Sequence, residues 1–127
     1  MGNPLWLLLG AVYGFLGVAL GAFGAHALEK TLEPRMMEIF KTATHYQLIH
    51  ALALLAVGIC TYILGPTAKG LTTAGWCLSA GILIFSGSLY ALVFTGTRLW
   101  GAVTPIGGVL FLVGWASMAA SFWRLTK

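Results

Sequence analysis

The stretch LWLLLGAVYGFLGVALGAFGA, residues 5–25, contains no charged side chain and is apolar throughout. A helix rises about 1.5 Å per residue, so a helix of this length crosses the ~30 Å hydrocarbon core of a bilayer. A strand of a membrane barrel would instead alternate apolar and polar residues over ~10 positions. The stretch therefore predicts a membrane-spanning helix.

The composition of the whole chain agrees with this interpretation. Of 127 residues, 59% are hydrophobic and only 8% are charged, whereas a soluble domain has about 25% charged residues. The abundance of apolar side chains excludes a disordered chain. The net charge of +4 comes from scattered residues and forms no basic stripe, so no nucleic-acid partner is expected. The class of protein that remains is an integral membrane protein in contact with the lipid bilayer.

The ten charged residues delimit four charge-free segments. We predict a single membrane domain over residues 1–127, with spans at about 5–27, 43–64, 71–95 and 104–123. Gly65 and Pro66 end the second span, and Thr104 followed by Pro105 suits the start of the fourth. The later loops are short, so the expected fold is an all-α, up-down four-helix bundle.

Two segments near the first span allow alternatives. Residues 29–42 predict a short interfacial amphipathic helix between spans one and two, begun by Pro34, although an ordinary polar loop is the alternative. The sequence Ala25-His26-Ala27 resembles a signal-peptide cleavage site. However, residues 1–4 lack Lys and Arg, and the apolar run is longer than the hydrophobic region of a signal peptide. We expect an uncleaved first helix.

Glycines recur along the first span at spacings of 4, 3, 4 and 3, which places them on one face of a helix. Small residues let membrane helices approach closely. The stripe therefore predicts a tight helix–helix contact, within the chain or in a homo-oligomer or larger assembly. It consists of Gly10, Gly14, Gly17, Gly21 and Gly24.

Polar residues of the predicted spans converge on one end of the bundle and form a candidate polar site. The set is His26, Tyr46, Gln47, His50, Ser86, Ser88, Tyr90, Arg98 and Thr104. His50 should face the bundle interior with Tyr90, Ser86 or Tyr46 as partner, whereas His45 points about 140° away on the same helix.

Three hypotheses compete for this set. The residues link helices by hydrogen bonds, they form a small-ligand, ion or lipid site, or His26 and His50 hold a haem or quinone. The chain has no Asp, and its three Glu lie within residues 29–38, which argues against carboxylate-based transport. Catalytic, phosphate-binding and metal-binding motifs are absent from the sequence. We therefore expect a non-enzyme without cofactor or metal.

Several motifs in combination resemble a known family of small membrane proteins. They are GAFGAHAL at 21–28, TATHYQLIHALALL at 42–55, IFSGSLY at 84–90, TPIGG at 104–108 and GW at 114–115. Together they are similar to the domain of unknown function family 423. The resemblance covers nearly the whole chain. It implies a four-helix membrane protein without an assigned activity, and its motifs contain most of the candidate polar site.

Orientation in the membrane is not decided by charge. Four Lys or Arg residues lie on the side of residues 28–42 and three on the side of the termini, a difference too small for the positive-inside rule. The resemblance favours both termini in the cytoplasm, with the chain in the bacterial cytoplasmic membrane. The expected role is that of a structural or oligomer-forming membrane component.

Overall fold

The computed structural model describes residues 3–67 and 69–127, and within these ranges the chain is helical and contains no strand. It has four helices long and apolar enough to cross a membrane. They are α1 (Leu5–Leu28), α2 (Pro34–Leu64), α3 (Lys69–Thr95) and α4 (Leu99–Leu125). The expected all-α membrane architecture is confirmed.

The beginning of α2 differs from the sequence-based expectation. No separate interfacial helix precedes it, because residues 34–42 are its first turns. Pro34 occupies the first position, where its missing N–H removes no helical hydrogen bond. A helix of 31 residues is about 46 Å long and exceeds the hydrocarbon thickness. Its charged first turns can therefore lie at the interface while the same helix continues through the membrane.

The predicted start of α4 at Thr104 and Pro105 is wrong. The helix begins at Leu99, after Arg98 at the N-cap, and Pro105 lies inside it. Gly96 has a left-handed φ of 70° and ends α3, so the chain reverses within a few residues and α4 starts early. The Thr104 hydroxyl donates to the carbonyl of Trp100 at 3.2 Å, one turn earlier in the helix.

Two helices contain a π-helical segment. The segment in α1 is Ala19–Gly24, and the segment in α3 is Ile82–Ser86. Such wide turns are rare, bend the helix that contains them, and occur often at functional sites. They are the irregular parts of otherwise regular spans.

The two middle helices form the centre of the bundle. Consecutive helices pack together in antiparallel pairs, α1 with α2, α2 with α3, and α3 with α4. The most apolar windows of α2 and α3 are each 44% buried, against 17% for α1 and 22% for α4. The outer helices therefore leave most of their apolar surface for lipid or for another protein. The main core contains Trp6, Leu54, Val57, Leu71, Leu78 and Phe111.

The glycine stripe of α1 lies mostly against α2. A Cβ atom at Gly10 would lie 2.9 Å from Leu55, and one at Gly17 would lie 2.8 Å from Leu48. A Cβ at Gly24 would lie 3.0 Å from the Phe40 ring, and one at Gly21 would make ordinary contact with Thr44. Gly14 differs from these four, because a Cβ there would meet nothing within 4 Å.

Candidate functional site

The polar residues of α2 lie near the middle of the bundle and not at its end. Gln47 and His50 flank Ile49, the central residue of Pro34–Leu64. At this level Leu48 contacts Gly17 of α1, which is also close to the middle of its helix. The sequence-based position at one end of the bundle assumed a helix that begins near residue 43, whereas α2 begins at residue 34.

Gln47 joins three helices through its two amide atoms. The side chain is buried, with 4% exposed. Its Nε2 donates to the main-chain oxygen of Tyr13 on α1 at 2.9 Å, and its Oε1 accepts from the Tyr90 hydroxyl on α3 at 2.7 Å. The Tyr13 hydroxyl lies 3.1 Å from Ser79 Oγ on α3. We call Tyr13, Gln47, Ser79 and Tyr90 the Gln47 network.

His50 joins α2 to α4. Its Nδ1 lies 2.7 Å from the Tyr46 carbonyl oxygen, and its Nε2 accepts from the Trp115 indole N–H at 3.1 Å. These partners assign the proton to Nδ1, since a carbonyl can only accept and an indole N–H can only donate. The Phe111 ring stacks on the imidazole at a centroid distance of 3.5 Å. We call Tyr46, His50, Phe111 and Trp115 the His50 network.

Serines make two further links between helices. The Ser86 hydroxyl donates to the main-chain oxygen of Ala43 on α2 at 2.7 Å. Ser88 Oγ lies 2.6 Å from Thr104 Oγ1 on α4. Across residues 3–67 and 69–127, no buried side-chain nitrogen or oxygen lacks a hydrogen-bond partner. Hydrogen bonds between or within helices thus engage the buried polar groups.

The structure does not bring the whole candidate set together. The Gln47 and His50 networks leave α2 in different directions, towards α1 and α3 in one case and towards α4 in the other. His26 is exposed near the end of α1, and Arg98 is exposed before α4. Arg98 instead lines a surface pocket with Glu33 and Arg35.

Two grooves open on the sides of the bundle. The first, of about 410 Å³, lies between α1 and α3 with Gln47 in its wall. Both π-helical segments border it, through Ala19 and Leu20 on one side and through Ile82, Leu83 and Ser86 on the other. The second, of about 560 Å³, lies between α2 and α4 and is lined by His45, Tyr46, His50, Phe85 and Trp115 among others.

Sequence reasoning missed four members of these networks, namely Ser79 and three aromatic residues. Tyr13, Phe111 and Trp115 lie within spans, where they read as ordinary lipid-facing or core aromatics. A signal was present for two of them, because a phenol or an indole N–H far from either interface needs an internal partner. Both have such a position: the Tyr13 hydroxyl donates to the main-chain oxygen of Ser79 on α3, and the Trp115 indole donates to His50 on α2.

The described residues offer no arrangement typical of a metal site. No group of three or more His, Cys, Asp or Glu side chains lies together within residues 3–67 and 69–127. Cys60 and Cys77 are free and partly buried. Both nitrogens of His50 already have partners, so the histidine would have to break a helix–helix bond before it could bind a metal.

Comparison with known proteins gives consistent matches along the chain. The family model described as "Protein of unknown function (DUF423)" matches residues 20–108. A UPF0382 membrane protein of Staphylococcus saprophyticus is 45% identical over 121 residues, which cover 95% of this chain and 98% of the relative. A UPF0382 membrane protein of Bacillus subtilis is 42% identical, covering 87% of this chain and 89% of the relative. No solved structure matches significantly. The chain is a multi-span helical membrane protein and belongs to the DUF423 family.

Proposed function

We propose that this protein is a structural, non-catalytic membrane component, whose polar mid-span residues hold its four helices together. The observation that carries the proposal is the complete pairing of buried polar side-chain atoms among the described residues. A catalytic acid, base or nucleophile needs a group that is free to react with substrate. Here Gln47 uses both amide atoms on neighbouring helices, and His50 uses Nε2 on α4 and Nδ1 on the Tyr46 carbonyl of its own helix.

The pairing of His50 also argues against a redox role. A haem iron would compete with the Trp115 indole for the imidazole Nε2. His26, the other histidine of that hypothesis, is exposed near the end of α1 and not near the middle of the bundle. Neither residue therefore offers a ready axial ligand in the bundle interior.

Purification in a mild detergent tests this proposal directly. We expect a colourless protein whose native mass is that of the polypeptide plus phospholipid and detergent alone. A stoichiometric Soret band, or a quinone extracted in equal amount with the protein, would contradict a purely structural role.

We further propose that the protein self-associates through the part of α1 that surrounds Gly14. This helix has the lowest burial of the four, at 17% of its apolar window. Gly14 has room beside it for another backbone, because no atom lies within 4 Å of a Cβ built there. The other stripe glycines contact α2 within the same chain.

We propose a bacterial cytoplasmic membrane location with both termini in the cytoplasm. The relatives come from Staphylococcus and Bacillus. Single cysteines at Thr31 and Thr126, in a chain with Cys60 and Cys77 replaced by alanine, provide the test. A membrane-impermeant thiol reagent should label the Thr31 position in intact cells and the Thr126 position only after lysis. The reverse labelling pattern would contradict this proposal and place both termini outside the cytoplasm.

The groove between α1 and α3 supports a second candidate function, the binding of a lipid acyl chain. The favouring observation is that both π-helical segments border this groove. Gly87 lines it and has open space beside it, so Gly87→Leu should fill the groove without straining the fold. Loss of co-purified lipid from this variant, but not from Ala120→Leu at an exposed position of α4, would support the candidate.

A further inference from the structure

Two arginines from different parts of the chain meet at one surface pocket of about 480 Å³. Arg35 is the second residue of α2, and Arg98 precedes α4 in the turn after α3. The pocket lies at the end of the bundle opposite the chain termini, where the spans meet the membrane surface. Its lining residues are Glu33, Arg35, Met36, Ile39, Leu92, Arg98 and Gly101.

The charge at this pocket favours an anion. Two guanidinium groups oppose a single carboxylate, that of Glu33. The helices α2 and α4 also begin here, and the N-terminal end of a helix carries a partial positive charge. A guanidinium binds phosphate oxygens through two parallel N–H donors, which makes arginine well suited to phosphate groups.

The rest of the pocket is apolar. Met36 and Ile39 are partly buried and Leu92 is buried. Ile39 lies one turn further along α2 than Arg35, and thus about 6 Å deeper towards the membrane interior. The pocket therefore has a cationic mouth at the membrane surface and an apolar wall that leads towards the hydrocarbon.

We propose that this pocket binds an anionic phospholipid, with its phosphate between Arg35 and Arg98 and the start of an acyl chain along Met36, Ile39 and Leu92. The division into a charged mouth and an apolar wall matches a molecule with a phosphate head and a hydrocarbon tail. A soluble anion would use only the mouth. The site would tie the first turn of α2 and the turn before α4 to one lipid.

The test uses the full chain in lipid nanodiscs of phosphatidylcholine with a minor fraction of phosphatidylglycerol. Native mass spectrometry of the released protein counts the retained phosphatidylglycerol. We expect the unaltered chain to retain it in preference to phosphatidylcholine, and the double variant Arg35→Gln/Arg98→Gln to lose that preference by about tenfold or more, because both charge-assisted contacts are gone.

The matched control is Lys30→Gln/Lys41→Gln. It removes two positive charges from the same side of the membrane without touching the pocket lining, and it should retain phosphatidylglycerol within about twofold of the unaltered chain. Equal loss in both double variants would overturn the proposal in favour of general surface attraction. Retention by Arg35→Gln/Arg98→Gln would also overturn it. Displacement of the lipid by millimolar inorganic phosphate would identify a free-anion site instead.

Discussion

At the scale of single residues, each buried polar side chain of the described spans has a hydrogen-bond partner. A backbone or side-chain polar group without a partner in hydrocarbon costs several kcal/mol, while a completed bond between helices contributes about 0.6 and at most about 1.7 kcal/mol. His50 illustrates the difference, because the Tyr46 carbonyl and the Trp115 indole together satisfy its ring. Loss of either partner therefore removes a hydrogen bond and leaves a polar atom of the imidazole without a partner.

Trp115→Phe should lower the free energy of unfolding by about 1 kcal/mol, since Phe keeps an aromatic ring but cannot donate to His50 Nε2. The measurement is reversible unfolding in mixed micelles. Trp100→Phe is the matched control, since it lies on the same helix with 40% of its surface exposed against 44% for Trp115. If both variants unfold alike, the Trp115–His50 bond contributes nothing measurable.

The sequence was sufficient to mark Gln47 and His50 as residues that need partners, but not to identify the partners. Polarity within a charge-free span is visible in the sequence alone. The partner depends on the rotation of each neighbouring helix and on small depth differences between helices. For His50 the expected side chains were Tyr90, Ser86 and Tyr46. The structure pairs His50 with Tyr46, but through its main-chain carbonyl, and with the Trp115 indole, while Tyr90 binds Gln47.

At the scale of helices, glycine determines how closely neighbours approach. The contact between α3 and α4 is as close as that between α1 and α2. A Cβ at Gly107 of α4 would lie 2.7 Å from the Phe85 Cα on α3, and a main-chain atom cannot move aside as a flexible side chain can. A Cβ at Gly114 would lie 2.8 Å from the Leu78 side chain. Gly107 lets α4 pack directly against the irregular segment of α3, and Gly114 lets it pack against the regular turns before that segment.

Gly107→Ala should therefore separate α3 from α4 and lower the free energy of unfolding by about 1–3 kcal/mol, the usual cost of overpacking. Gly101→Ala is the control on the same helix, because a Cβ there would meet only Leu92, at 3.9 Å. We expect that variant to be neutral or slightly stabilising, since alanine favours helix. Thermal unfolding followed by circular dichroism distinguishes the two, and equal stability would contradict the close contact.

The number of helices and their approximate limits could be predicted from the sequence. Long apolar runs match the thickness of the bilayer, and charged residues lie outside its hydrocarbon core. The internal irregularities could not. Pro105 signals a helix start in isolation, yet it lies within α4 because the preceding turn ends at Arg98. The π-helical segments at 19–24 and 82–86 have no local sequence signal, since they depend on how a helix fits its neighbours.

At the scale of the whole molecule, α2 and α3 form a buried pair and α1 and α4 cover it from opposite sides. This arrangement distinguishes the stripe glycines that pack within the chain from Gly14, for which we proposed a role in self-association. Gly17 lies against Leu48 within the chain, while Gly14 has no neighbour. Folding and self-association should therefore respond to different substitutions on the same helix.

Gly14→Leu should reduce self-association and leave the monomer folded, whereas Gly17→Leu should destabilise the monomer itself by forcing α1 from α2. Subunit counting by photobleaching in vesicles reports the first effect, and unfolding in micelles reports the second. A Gly14→Leu protein with unchanged subunit number would contradict self-association through this face of α1.

We infer that the polar residues in the middle of the spans hold the bundle together and are not kept for chemistry. The most direct test is the free energy of unfolding of Gln47→Leu, because the Gln47 side chain bonds both α1 and α3. The claim predicts a loss of about 1–2 kcal/mol. Residues kept for function at the expense of stability behave differently, and their replacement by an apolar residue often stabilises the fold. A Gln47→Leu protein as stable as the original, or more stable, would contradict the claim.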